Sequence, residues 1–180
     1  MTWENLIFKV TPTPFKHMGI FPEQVAHWKW AKEKIITSNR KLKVLNLFGY
    51  TGALSLVSAK NGAEVTHVDA SKKAIEWLKE NEKLSRIENS IRVIHEDCLK
   101  FIKREITRGK KYDLIFADPP VFGHGVDAEV WKFNEKFPEL MENIKKLLSD
   151  EPVGVLVNTY AISSSSIMLA NVFKDYFPQE

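Results

Sequence analysis

Apolar positions along this chain fall into two kinds of run. Short, nearly continuous stretches rich in β-branched residues recur at Lys43–Phe48, Glu64–Val68, Ile91–Ile94, Tyr112–Ala117 and Val153–Asn158. That length suits strands buried on both faces. Between and after them, Ala53–Lys60, Ser71–Ser85, Leu99–Arg108, Val130–Leu148 and Ser164–Tyr176 carry apolar residues at helical spacing. The alternation predicts an α/β fold: a Rossmann-like, mostly parallel sheet of five strands with helices on both faces, because parallel neighbours need a crossover. Ligands of such sheets sit beyond the carboxyl ends of the strands. The residues after Phe48, Val68, Ile94 and Ala117 are therefore the ones to read for chemistry.

The opening segment has a different pattern. Residues 1–38 offer a strand at Leu6–Val10, a turn around Pro12 and Pro14, and a helix carrying Trp28 and Trp30. They read as an appendage packed on the sheet or over its ligand, ahead of a main domain at 39–180.

Composition narrows the class without changing the fold. A length of 180 residues suits one domain, and a single cysteine excludes a disulfide scaffold within one chain. Hydrophobic residues at 44% and charged residues at 27% are globular values that exclude disordered, collagenous and membrane-spanning chains. No apolar run approaches the ~20 residues that cross a bilayer, so no membrane partner is expected and a reducing cytoplasm is the default compartment. A net charge of +3 permits RNA and does not demand it. The histidines show no paired metal-ligand spacing, and no metal site is expected.

Four loops share the ligand end of the predicted sheet. In Asn46-Leu47-Phe48-Gly49-Tyr50-Thr51-Gly52, glycines between a strand and a helix allow either close approach of a ligand or a tight packing turn. Asp69, twenty positions after Gly49, is placed to accept ribose hydroxyls or to cap the next helix. Glu96-Asp97-Cys98 offers an acceptor for an adenine amino group or a helix cap, with Cys98 a small buried side chain. Asp118-Pro119-Pro120-Val121-Phe122 presents an acceptor-rich, rigid edge with an aromatic ring positioned to stack on a planar ligand.

With these loops in place, the chain resembles class I S-adenosylmethionine-dependent methyltransferases, in the group related to bacterial 23S ribosomal RNA large-subunit enzymes. The resemblance runs from about Phe15 to Tyr160 and rests on Gly19-Ile20-Phe21-Pro22-Glu23-Gln24, Leu45 to Gly52, Val68-Asp69-Ala70-Ser71 and Asp118-Pro119-Pro120. It implies S-adenosyl-L-methionine as cofactor. Phe48, Gly49, Tyr50 and Gly52 would surround its methionine part, Asp69 and Ala70 its ribose, and Asp97 and Cys98 its adenine. Glu23 and Gln24 would lie beside the cofactor, while Asp118, Pro119 and Phe122 would face the methyl group and the substrate.

The resemblance also implies RNA, ribosomal in this group, as partner. No cysteine follows the fifth strand, so the expected chemistry is methylation of a base without a cysteine nucleophile. The closing antiparallel hairpin of class I folds is expected to be incomplete, and the RNA-binding domain that precedes the catalytic one in relatives has no room here. Two other classes share some features. A non-catalytic RNA-binding or assembly factor would keep the fold; a nicotinamide-dependent oxidoreductase would want a Gly-x-Gly-x-x-Gly turn, which is absent. The basic residues Lys103, Arg104, Arg108, Lys110 and Lys111 read either as phosphate contacts or as a solvated helix end.

Overall fold

A computed structural model describes residues 1–13, 18–87, 90–127, 129–160 and 165–177. Pro14 and Phe15 near the expected turn, and Ser164 at the expected start of the last helix, lie outside these. The first hairpin pairs β1 (Thr2–Trp3) with β2 (Leu6–Ile7). A short 3-10 turn at Pro22–Gln24 then leads into α1 (Val25–Ile36).

The central sheet holds β3 (Lys43–Leu47), β4 (Glu64–Asp69), β5 (Ile91–His95), β6 (Leu114–Ala117) and β9 (Gly154–Val157), all parallel, in the order β5-β4-β3-β6-β9. The crossovers are α2 (Ala53–Lys60), α3 (Lys72–Leu84), α4 (Cys98–Thr107) and α5 (Phe133–Leu147), and α6 (Ser166–Tyr176) follows the last strand. From β3 the chain steps outward through β4 to β5, then returns to the other side of β3 for β6. The loops after β3 and β6 therefore diverge at a switch point, where α/β sheets open a crevice.

Side chains alternate across the strands and divide the interior into two cores. Val44, Val65, Leu114 and Phe116 face Trp28, Ala31, Leu56, Val57 and Leu78 of α1, α2 and α3. Leu45, Leu47, Ile115 and Ala117 face Phe101, Ile102, Leu140 and Ile144 of α4 and α5. The opening segment shares the first core through buried Leu6, Phe8 and Ile20. It is strapped to α3: Ser85 Oγ accepts the Ile7 N–H at 3.0 Å, Asn81 Oδ1 accepts the Lys9 N–H at 2.8 Å, and the Trp77 indole donates to the Lys9 carbonyl at 3.2 Å.

The structure corrects one expected element. The helix read from Val130 begins at Phe133, and Val130–Lys132 is instead strand β8, antiparallel to β7 (Phe122–His124). Within β8 only Trp131 turns inward, with Val130 and Lys132 exposed, and its indole donates to the Pro120 carbonyl. A tie back to the Asp-Pro-Pro turn and a partner strand outweigh three residues of helical spacing. The strand read at Leu6–Val10 is likewise shorter: Phe8 still exchanges backbone bonds with Met1, and the Lys9 N–H then turns to Asn81 of α3.

The two ends of β6 carry carboxylates in different settings. At the start, burial pushes the Asp113 carboxyl up, but the Lys43 N–H, Arg40 and Ser149 outweigh it and hold it below the usual range. Asp113 is a structural clasp. At the other end, Asp118 accepts from the side-chain amides of Gln24 and Asn158.

Candidate functional site

The carboxyl ends of the strands enclose a cavity of about 800 Å³. Along β3 the backbone leaves the sheet through Phe48 and Tyr50, at φ 54° and 49°, the left-handed region that side chains other than glycine seldom adopt. Such conformations persist where surrounding contacts over-determine them. Here the Phe48 N–H reaches Cys98 Sγ at 3.3 Å, the Gly49 N–H reaches the Val68 carbonyl at 3.1 Å, and the Tyr50 N–H reaches Asp69 Oδ2 at 2.8 Å. The side chains of Phe48 and Tyr50 are thereby turned onto the cavity wall.

Asp69 ends β4 with its other oxygen accepting the Ser71 N–H at 2.7 Å. Burial raises the Asp69 carboxyl, and the two N–H bonds and His95 oppose that rise. Ser71, not Asp69, caps α3, accepting the Ala74 N–H at 3.3 Å. Asp97 does cap α4, accepting the Lys100 N–H at 3.0 Å, and it also lines the cavity. Cys98 lies beside it, 2% exposed. Burial first, and nearby carboxylates after it, push its thiol well above the ordinary range.

Asp118 is clamped. Gln24 Nε2 donates to its Oδ2 at 2.9 Å and Asn158 Nδ2 to its Oδ1 at 2.8 Å, so a residue of the opening segment and one after β9 orient the carboxylate together. Burial raises its pKa, the two amide donors lower it, and the net direction is upward.

Of the candidate residues, Glu23, Gln24, Phe48, Tyr50, Asp69, Ala70, Asp97, Cys98 and Asp118 line this one cavity. Gly49 borders a smaller crevice behind the loop. Its lack of a side chain serves the interior, since a Cβ there would overlap the His67 ring. Beneath it, Asn46 donates to Ser55 Oγ at 2.9 Å, and Ser55 meets His67 Nδ1 at 3.0 Å. Burial pushes His67 down to about 3, so the ring is neutral. Gly52 lies off the cavity at φ 86°, where a Cβ would meet Leu78. Pro119 is buried off the cavity wall, and Phe122 is exposed on β7 and off the lining, its ring 5.1 Å from that of the lining residue His124.

Several lining residues escaped sequence reasoning. Asn158 and Tyr160 follow the fifth strand, where the same carboxyl-end rule applies and would have found them. Trp131, whose ring lies 4.9 Å from Phe48, was hidden by the helical reading of its segment. His27 and Phe21 come from the opening segment, where Phe21 stands within the Gly19 to Gln24 stretch and His27 carries no signal of its own. The basic residues are largely engaged: Lys103 with Glu139, Arg104 with Glu96, Arg108 with Glu105, and Lys111 with the Lys146 carbonyl. Among the described residues, no helix is long and apolar enough to cross a membrane.

A five-stranded parallel sheet with its cavity at the switch point defines the fold of class I S-adenosylmethionine-dependent methyltransferases. The chain belongs to the family described as conserved hypothetical protein 95, whose model matches residues 24–153. The SAM-dependent methyltransferase from Agrobacterium tumefaciens superposes with a TM-score of 0.96 at 46% identity, over 98% of this chain and 57% of that one. SMU.776 complexed with SAH shares the fold at a TM-score of 0.73 and 23% identity, over 91% of this chain and 42% of that one. The ribosomal RNA large subunit methyltransferase K/L of Shewanella frigidimarina is 36% identical over 153 residues, 83% of this chain and 20% of that protein. That of Alteromonas mediterranea is 27% identical over 96% of this chain and 25% of its own length. The chain thus spans a quarter or less of these curated relatives.

Proposed function

We propose that this chain binds S-adenosylmethionine in the 800 Å³ cavity and transfers its methyl group to a base of ribosomal RNA, without a cysteine nucleophile. The observation that carries the reading is the charge of the wall. Asp69, Asp97 and Asp118 stand beyond three strands, and the described lining residues include no lysine or arginine. A phosphate-bearing dinucleotide wants cationic or glycine-cradled anion sites, whereas a sulfonium nucleoside suits carboxylates and aromatic faces. The relatives named for ribosomal RNA supply the substrate class, and cytoplasm is the compartment that goes with it. Residues 1–38 act in this reading as a cover that delivers Glu23 and Gln24 to a catalytic unit at 39–180.

In the transfer, the sulfur–methyl bond breaks as a base nitrogen forms the new bond, and the sulfur keeps the electron pair as a thioether. The leaving group arrives activated, so positioning supplies much of the rate. Asp118 orients the nitrogen as an acceptor, and a proton released from an amino group passes to water.

Titration calorimetry of the 180-residue chain with S-adenosylmethionine, S-adenosylhomocysteine and a nicotinamide dinucleotide tests the reading. The first two are expected to bind and the third not. RNA binding with no cofactor binding would favour an assembly factor on this fold instead.

Cys98→Ser is expected to keep methyl transfer within about threefold of wild type. The buried thiol faces the Phe48 N–H and the adenine end of the cavity, and its raised pKa leaves little thiolate to attack a base. Single-turnover transfer at saturating cofactor measures this, and a loss of several orders of magnitude would make Cys98 the nucleophile.

A further inference from the structure

The resemblance would set Phe122 against the substrate, but its ring stands off the cavity. A different ring holds the position where the cavity meets solvent. Tyr160 lines the cavity and is 56% exposed. The other Phe, Tyr and Trp rings of the lining are engaged: the Phe48 centroid lies 4.9 Å from that of Trp131, and Phe21 lies 6.0 Å from Tyr50, which is itself 6.4 Å from Trp77. Among the described residues, Tyr160 has no ring pair and no hydrogen bond. A large aromatic ring left open beside a cavity is a face for a planar ligand.

The surroundings of the ring set what that ligand must be. Tyr160 comes two positions after Asn158, whose amide holds Asp118 Oδ1 at 2.8 Å, so the ring and the clamped carboxylate belong to one corner of the cavity. Burial, and after it the charge of Asp118, push the Tyr160 phenol up, which agrees with that closeness. An ionised carboxylate only accepts, so the edge of the ligand must donate an N–H while its face covers the ring. No lysine or arginine is among the described lining residues, and an anionic group would find no counter-charge there. An uncharged heteroaromatic ring with an N–H edge meets both demands. Bases of single-stranded RNA are read in this way, stacked on aromatic side chains and hydrogen-bonded along one edge.

We propose that Tyr160 is the platform on which the target base of the RNA stacks, with the N–H edge of the base turned to Asp118. The ring fixes the plane of the base and the carboxylate fixes its rotation within that plane. Together they hold one nitrogen toward the methyl group. A base paired and stacked inside a helix offers no free face, so the acceptor is a base that is unpaired or has left its stack. This role rests on the methyl-transfer reading given above.

The test measures methyl transfer from S-adenosylmethionine to large-subunit ribosomal RNA transcribed in vitro, which carries no prior methylation, in wild type, Tyr160→Phe, Tyr160→Leu and Tyr160→Ala. The leucine and alanine variants are expected to lose about tenfold or more in kcat/KM for the RNA, and the phenylalanine variant less than about threefold. Leucine fills much of the same space without a flat π face, so it separates stacking from packing. Calorimetry with S-adenosylhomocysteine on each variant shows that the cavity is still formed, and those affinities are expected to stay within about threefold of wild type. Transfer by Tyr160→Leu that matches Tyr160→Phe overturns the proposal. So does a loss of cofactor affinity as large as the loss of kcat/KM, which would put Tyr160 on the cofactor side. A wild type that transfers no methyl group to the RNA removes the methyl-transfer reading and this inference together, whereas transfer that ignores the ring at position 160 removes the inference alone.

Discussion

Asp69→Ala is expected to weaken S-adenosylmethionine binding by roughly 100-fold or more, because the carboxylate does two jobs at once. Its oxygens hold the N–H groups of Tyr50 and Ser71 at 2.8 and 2.7 Å. An ionised carboxylate offers about four acceptor sites, so these two bonds leave capacity for both ribose hydroxyls. Hydrogen bonds to charged groups contribute about 1.5–3 kcal/mol each, and losing the ribose pair alone accounts for the expected drop. The substitution also removes the acceptor for the Tyr50 N–H, one of the contacts that hold its φ of 49°. Asp69→Asn keeps one acceptor oxygen and presents a donor amide to one N–H, so its loss should be intermediate. Calorimetry with S-adenosylhomocysteine gives both values directly. An unchanged affinity in Asp69→Ala would remove the residue from the ribose role, and a loss confined to thermal stability would make it only a loop anchor.

The readability of this chain follows the length over which each pattern is sustained. Strands such as Leu114–Ala117 are apolar at every position because both of their faces are covered, and a continuous run of that kind has few other uses in a chain of ordinary composition. Asp69 was readable because its distance from Gly49 spans one β-α-β step. Val130–Lys132 was not, since three residues ahead of a strongly periodic helix fit its spacing as well as a strand's, and only the pairing with Phe122–His124 decides between them. Trp131 went unread with them.

The glycines show a different limit. A sequence gives Gly49 as a place without a side chain, but not whether a ligand or the buried His67 ring fills the room. The clamp on Asp118 was invisible for a further reason: Gln24 and Asn158 lie 94 and 40 positions away from it, and only the folded sheet brings their amides to one carboxylate.

That clamp sets the expectation for Asp118→Ala, which should lower turnover by about 10²-fold or more while changing cofactor affinity by less than about tenfold. The carboxylate is oriented from both sides by amide donors, the arrangement suited to holding a substrate group in line with a methyl group. Asp69 and Asp97, the proposed ribose and adenine contacts, lie beyond other strands and stay in place. Asp118→Asn is not a silent replacement, because its own amide would face the Gln24 or the Asn158 donor, one of which must turn away. Burial is the largest influence on Asp118 and raises its carboxyl above the ordinary value. Protonation discharges the group as pH falls through that raised value, so turnover should fall on an acid limb shifted upward from that of an ordinary aspartate, and Asp118→Ala should lack that limb. Single-turnover methyl transfer to ribosomal RNA across pH, with cofactor affinity measured in parallel, checks each part. If affinity collapses while the bound fraction reacts normally, Asp118 belongs to the cofactor pocket. If full turnover survives, the Asp-Pro-Pro loop is a rigid turn whose carboxylate takes no part in the transfer.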